Sequence, residues 1–317
     1  MTGKPADTPP ENIRDITGEI SFWQPSVLIP FMTVSLIWGG TWIVIRDQLS
    51  VVPPSWSVTY RFILAAVAMF ALARLRGLPL GMSREGQIWA LLLGLFQFSF
   101  NFNFVYRAEI HVTSGLVAVM FALLIIPNAL FGAIFLKQRI TPLFVIGSLL
   151  AMAGVAALFA HEFEVADRSF DTLWLGIGFT MLGVLSASVA NIMQGTETLK
   201  RWPIITMLAW AMLWGAVINA GYALVTVGAP VAETRWSYWA GIAYLALAAS
   251  VVTFPLYFGL IRRIGPGRAA YSSTIVPVIA MLLSTLFEGY QWTALAILGG
   301  VLALAGLVIA MQARRSR

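Results

Sequence analysis

The sequence predicts an all-α integral membrane protein with ten transmembrane helices arranged as two inverted five-helix repeats. Composition is the first observation behind this. Of 317 residues, 59% are apolar and 11% charged, with a mean hydropathy of +0.83, whereas soluble domains carry about 25% charged residues. One soluble domain cannot hide that much apolar surface from water, and disorder requires low hydrophobicity. The second observation is that the apolar residues fall into stretches of about 20, the length that crosses a bilayer. The third is that proline and glycine markers recur at a nearly fixed offset.

The predicted spans run in order over 26–45, 54–73, 87–106, 113–136, 141–160, 173–195, 203–226, 237–261, 269–287 and 292–312. Pro127 interrupts the fourth and Pro277 the ninth; a proline removes a backbone donor and bends a helix, which lipid tolerates only where neighbours or a cavity satisfy the freed carbonyl. Residues 1–25 and 313–317 read as cytoplasmic tails. The polar start, with Asp7, Glu11, Asp15 and Glu19, lacks the basic opening and apolar run of a cleaved signal peptide.

Loop charge sets the expected orientation. With the N-terminus inside, 15 Lys and Arg fall on the inner side and 4 on the outer, namely Arg46, Arg107, Arg168 and Arg235. That bias predicts both termini in the cytoplasm and a multi-pass protein of the plasma membrane, or of the inner membrane in a bacterium. It also accounts for the net charge of +6 without a nucleic-acid partner. Cysteine is absent, which excludes disulfides, thiolate metal sites and Cys nucleophiles.

Pro54 opens the second span and Pro203 the seventh, 149 residues later; Pro127 and Pro277 are 150 apart. Gly147 and Gly154 recur as Gly299 and Gly306, offset by 152. A near-constant offset predicts two homologous halves, 26–160 and 173–312. Five spans per half is an odd number, so the second half is turned upside down. Inverted repeats of this kind belong to secondary transporters, whose substrate site lies near the midplane between the halves.

Several motifs then resemble the EamA-type drug/metabolite transporters. Ser35-Leu-Ile-Trp38-Gly39-Gly40 is similar to that family's S-x-x-W-G signature, and Arg61-Phe62 to its RF pair. Thr113-Ser114-Gly115, Pro127 and Phe135-Leu136-Lys137-Gln138-Arg139 resemble the stretch through its fourth helix, and Pro277 through Phe287-Glu288 the matching stretch of its second repeat. The likeness covers about 26–312 and implies ten helices in two inverted repeats that move amino acids, nucleotide derivatives, drugs or other metabolites, often outward. The sequence departs from the pattern at Gln138, where the family commonly has an acid, while Glu288 is kept.

The candidate substrate contacts are Trp38, Trp42, Arg61, Asn101, Asn103, Asn191, Trp210, Tyr271 and Ser272, with Gly39, Gly40, Pro127 and Pro277 as hinges. A charge inside a span costs about 2.5–3.5 kcal/mol on insertion scales, and Arg61 bears that cost. Two readings stand for it. Its planar fork suits a substrate carboxylate or phosphate, or the side chain snorkels outward or clamps helix-end carbonyls. Trp38 and Trp42, like Trp210 and Trp214, share a helix face at i, i+4, and the amides add hydrogen-bonding groups that either tie helices together or line a cavity. Together they predict an apolar, aromatic cavity with a few amides, suited to a small amphipathic metabolite such as an amino acid or aromatic compound.

No Asp or Glu falls deep in a predicted span; Glu109, Glu233 and Glu288 lie at outer ends. The expectation is therefore a facilitator or exchanger, or coupling through an edge group such as Glu288. Enzymes are disfavoured by motif. The chain has no Walker loop, and both histidines, His111 and His161, sit at span ends, which is wrong for an intramembrane Ser–His or metal protease. The function predicted is secondary transport, directed outward, by alternating access. The alternative is a membrane-embedded receptor or enzyme without transport. No cofactor or metal is expected. The partners are a small-molecule substrate and lipid, with the chain a monomer or weak homodimer.

Overall fold

A computed structural model describes residues 24–49, 51–165, 170–270 and 272–312, and every regular element among them is helical. Nearly all of both predicted tails lies outside the described residues. Eight helices are long and apolar enough to cross a membrane: α1 (Pro25–Asp47), α2 (Pro54–Leu75), α3 (Arg84–His111), α4 (Ser114–Leu136), α5 (Pro142–Ala160), α6 (Asp171–Gly195), α7 (Ile204–Thr226) and α8 (Trp236–Pro266). Two shorter apolar helices follow, α9 (Ile275–Phe287) and α10 (Ala294–Ala310). The chain is a multi-pass membrane protein.

The helices α3 and α8 outrun their predicted spans because polar residues continue the hydrogen-bonded spiral past the apolar stretch. Ser83 caps α3 by accepting from the Gly86 N–H at 3.2 Å, and Glu85 in the first turn complements the helix dipole. At the far end of α8 the chain turns at Gly265, whose φ of 83° is the left-handed region that favours glycine.

Two of the four predicted hinges coincide with breaks. At Gly40 the helix is interrupted between Gly39 and Thr41, and Gly39 lets α1 approach α9, since a Cβ there would sit 2.7 Å from the Ile279 side chain. In α4 the helix breaks at Leu123–Leu124, where Pro127 has no N–H to offer the Leu123 carbonyl. Neither feature is repeated by the second half. The helix Phe170–Gly195 is continuous past Ala190, the position 150 residues beyond Gly40, and Ser272–Phe287 is continuous through Pro277.

Packing joins opposite halves of the chain. The α5 and α10 helices lie against each other, as do α2 and α7. Between α5 and α10 the glycines meet backbone to backbone: a Cβ at Gly147 would lie 2.7 Å from the Gly306 carbonyl oxygen, and one at Gly154 2.6 Å from that of Gly299. As one partner's number rises the other's falls, so the pair is antiparallel. Gly94 of α3 meets the Ala211 carbonyl of α7 in the same way, its Cβ position 2.5 Å away. Where α3 crosses α7 and where α8 crosses α2, the spiral widens to π-helix, over Gly94–Phe100 and Tyr244–Val252. These wide turns begin 150 residues apart. Asn219 of α7 donates to the Phe98 carbonyl in the first at 2.9 Å. At one end, Arg262 donates to the carbonyls of Leu199 (2.8 Å) and Trp202 (3.0 Å), fixing the linker between α6 and α7.

Candidate functional site

Seven helices contribute to one internal cavity of about 100 Å³. Trp38, Trp42 and Ile45 come from α1, Arg61 from α2, Gln97, Asn101, Phe102 and Val105 from α3, and Phe121 from α4. The α6 helix adds Asn191, α8 adds Phe254 and Tyr257, and α9 adds Val276. The wall is mainly aromatic, with amides at separate points and one guanidinium. Drug-sized ligands fill a few hundred Å³, so occupation requires these walls to move apart.

The aromatic side chains are held by neighbours. Trp38 Nε1 donates to Thr253 Oγ1 at 2.9 Å, and its ring meets Tyr257 edge-on at 4.9 Å. Trp42 lies 5.4 Å from Phe121. Asn191 Nδ2 donates to the Tyr257 hydroxyl at 3.3 Å. Three polar atoms of the wall have no protein partner: Trp42 Nε1, Asn101 Oδ1 and Arg61 Nη1.

Arg61 does not snorkel, because it is 1% exposed, and it does not clamp helix-end carbonyls. Its Nε and Nη2 both donate to Ser250 Oγ at 3.2 Å, inside the wide turn of α8. The guanidinium lies 4.2 Å from the Phe102 ring centroid and 5.2 Å from that of Phe62. No carboxylate pairs with it among the described residues. It is a buried cation without a counter-charge, an arrangement that is costly unless a partner arrives.

The cavity therefore gathers five of the nine sequence candidates: Trp38, Trp42, Arg61, Asn101 and Asn191. Asn103, Trp210 and Ser272 fall outside it. Asn103 ties α3 to α7 through Asn219 Oδ1 at 2.7 Å. Trp210 donates to the Leu80 carbonyl at 2.8 Å, anchoring the α2–α3 loop. Ser272 donates to the Ala269 carbonyl at 3.0 Å. Tyr271 lies outside the described residues. Phe102, Phe121, Phe254 and Tyr257 were not among the candidates; at helical spacing, an aromatic that lines a cavity has the same signature as one that packs in a core.

Beyond one end of the cavity, Arg235 bridges the α7–α8 loop to α1. It reaches Glu233 Oε2 at 3.3 Å and Asp47 Oδ1 at 3.2 Å. Hydrogen bonds from the Arg235 backbone N–H, and then from that of Thr234 and from the Arg235 side chain, hold the Glu233 carboxyl below its usual range. A depressed carboxyl stabilises the fold above its ordinary pKa of 4.5, and that contribution is lost as pH falls through the depressed value. The melting temperature of wild-type protein in detergent should thus fall more steeply with acidification through this window than that of Glu233→Gln. Parallel acid profiles would refute the assignment.

Comparison with known proteins places this architecture. The EamA-like transporter family matches residues 26–160 and again 174–312. The chain belongs to that family. Among its relatives, protein PagO of Salmonella typhimurium is 25% identical over 294 residues, covering 91% of this chain and 94% of PagO. YoaV of Bacillus subtilis, named an uncharacterized transporter, is 25% identical and covers 89% of this chain and 95% of its own length. YedA of Escherichia coli, named an uncharacterized inner membrane transporter, is 27% identical over 87% of this chain and 88% of YedA. A solved crystal structure superposes with a TM-score of 0.70 at 20% identity, over 90% of this chain and 97% of the other; at that identity the likeness concerns the fold.

Proposed function

We propose that this EamA protein is a secondary transporter that carries a small amphipathic metabolite, such as an amino acid or an aromatic compound bearing an anionic group, outward by alternating access. The observation that carries the reading is the cavity walled from both halves of the chain, with an uncompensated guanidinium among aromatic rings. In this reading residues 26–160 and 173–312 form two inverted five-helix repeats with both termini cytoplasmic. The two family matches, the paired wide turns and the reciprocal glycine contacts between α5 and α10 support it. Arg61 receives the anionic group, Asn101 and Asn191 its polar neighbours, and Trp38 and Trp42 the apolar body. The break at Gly40 and the one before Pro127 let α1 and α4 bend as the cavity changes its opening. The chain performs no catalysis of its own, needs no cofactor or nucleic acid, and works as a monomer or weak homodimer in the plasma membrane.

The test is flux through purified protein in sealed liposomes. L-tryptophan, L-phenylalanine and indole-3-acetate are the probes, with the cation ethidium as decoy. Saturable, protein-dependent exchange of at least one anionic or zwitterionic probe is expected, and none of ethidium. Trp38→Ala and Asn101→Ala should each reduce that exchange about tenfold or more while leaving folded yield unchanged. An absence of protein-dependent flux for every probe would leave the receptor or enzyme alternative.

A further inference from the structure

A second polar group lies next to the cavity wall. Ile45 and Val105 line the cavity; Arg46 and Glu109 lie next along the same helices. Glu109 is 0% exposed, and neither of its carboxyl oxygens meets a protein donor. It sits at a helix end, where sequence position promises water, yet it is buried. Beside it, Glu288 at the end of α9 accepts the hydroxyls of Ser114 (2.7 Å) and Ser284 (2.5 Å) on Oε2. Arg46 joins the two acids: its Nη1 donates to the Glu109 backbone carbonyl, and its Nε lies 3.7 Å from Glu288 Oε1.

We propose that Glu109 and Glu288, held by Arg46, form a proton-binding site that closes this end of the passage and couples substrate movement to proton movement. The coupling rests on the transporter reading; the proton site does not. Burying a carboxylate with no donor is prohibitive, so such a group is neutralised instead. Two acids beside one guanidinium balance charge when one is ionised and the other holds a proton. Glu288 has the hydroxyl donors and the cation while the Glu109 carboxyl has no donor at all, so Glu109 is the member that holds the proton. The groups facing Glu109 are Arg46 from α1, Glu288 from α9 and, on its own helix, Tyr106; His111 stacks on Phe179 of α6 at 5.9 Å. Opening this end admits water to Glu109, which then releases its proton. The resulting carboxylate repels Glu288 and competes with it for Arg46, which disfavours reclosure until a proton returns.

A reagent specific for neutral carboxyls tests the site without any substrate. Dicyclohexylcarbodiimide is apolar and adds to protonated carboxylic acids, and peptide mapping by mass spectrometry locates the adduct. On the full-length protein in detergent near neutral pH, Glu109 should be modified, while the exposed Glu85 and Glu197 stay unmodified, and the adduct should decline several-fold as pH is raised. In Glu288→Gln the freed Arg46 favours ionised Glu109, so labelling there should fall. Folded protein whose Glu109 is unlabelled at every pH, or whose labelling ignores Glu288→Gln, overturns the site. In liposomes with an imposed pH gradient, Glu109→Gln, which mimics the protonated acid, should still exchange L-tryptophan but lose its accumulation. Accumulation that survives Glu109→Gln, or loss of exchange along with it, overturns the coupling. Labelled Glu109 in wild-type protein that moves none of L-tryptophan, L-phenylalanine and indole-3-acetate leaves the proton site standing and puts the failure on the transport reading.

Discussion

Gly306→Leu is expected to abolish folded protein, and even Gly306→Ala should lower the melting temperature by about 5 °C or more. A Cβ at Gly306 would sit 2.2 Å from the Ala151 backbone nitrogen and 2.6 Å from the Gly147 carbonyl oxygen. Both are main-chain atoms of α5, so no rotamer change relieves the clash; α5 and α10 must separate along their length. In lipid, that separation forfeits the close van der Waals contact that drives helix association where no hydrophobic effect operates. The control is on the same helix. A Cβ at Gly300 meets nothing within 4 Å, so Gly300→Ala should be neutral or gain roughly 0.5–1 kcal/mol from lower backbone entropy in the unfolded chain. Yield of monodisperse protein and its melting curve in detergent decide the matter. If Gly306→Ala melts with wild type, the tight α5–α10 contact is wrong.

The seven-residue glycine spacing behind this prediction was visible in the sequence, as were the apolar stretches, because hydropathy and helical period are local properties. What escaped was settled by which helices meet. Glu109 falls two residues from the end of α3, and its position along the chain says nothing about the other helices that cover it. Trp210 and Trp214 share a face as expected, but that face turns to the α2–α3 loop and the start of α3, donating to the Leu80 carbonyl and to Gln87 Oε1. Asn101 and Asn103 are chemically alike, yet only Asn101 faces the cavity, since residues two apart on a helix point about 200° apart. The wide turns leave no compositional mark; a π-helix reflects where a crossing helix forces the spiral open. Arg61 was legible as an expensive residue, but its lack of a carboxylate partner required the fold.

Arg61→Met should leave the empty protein as stable as wild type, or more stable, while reducing recognition of carboxylate probes about 10–100-fold. The two halves of this expectation come from one fact. A buried, unpaired charge burdens the apo state, and apolar replacements of similar volume at buried ionic positions are often neutral or stabilising. Methionine fits beside Phe62 and Phe102, the rings that flank the guanidinium, and sulfur–aromatic contacts are favourable. Ser250 is not orphaned by the change, because its hydroxyl donates to the Leu245 carbonyl at 2.7 Å. With an anionic ligand bound, the balance reverses. Charge-assisted hydrogen bonds contribute about 1.5–3 kcal/mol, and in the variant the ligand's carboxylate is buried without its partner. Thermal-shift measurements separate the effects, since a ligand that binds the native state raises the melting point, and at equal concentration a tighter ligand raises it more. Indole-3-acetate should raise the melting temperature of wild type, and its neutral amide should do so much less. In Arg61→Met the two compounds should become equivalent. If the variant still distinguishes acid from amide as wild type does, Arg61 is not the anion's receptor; if the empty variant melts well below wild type, the guanidinium is already satisfied within the fold.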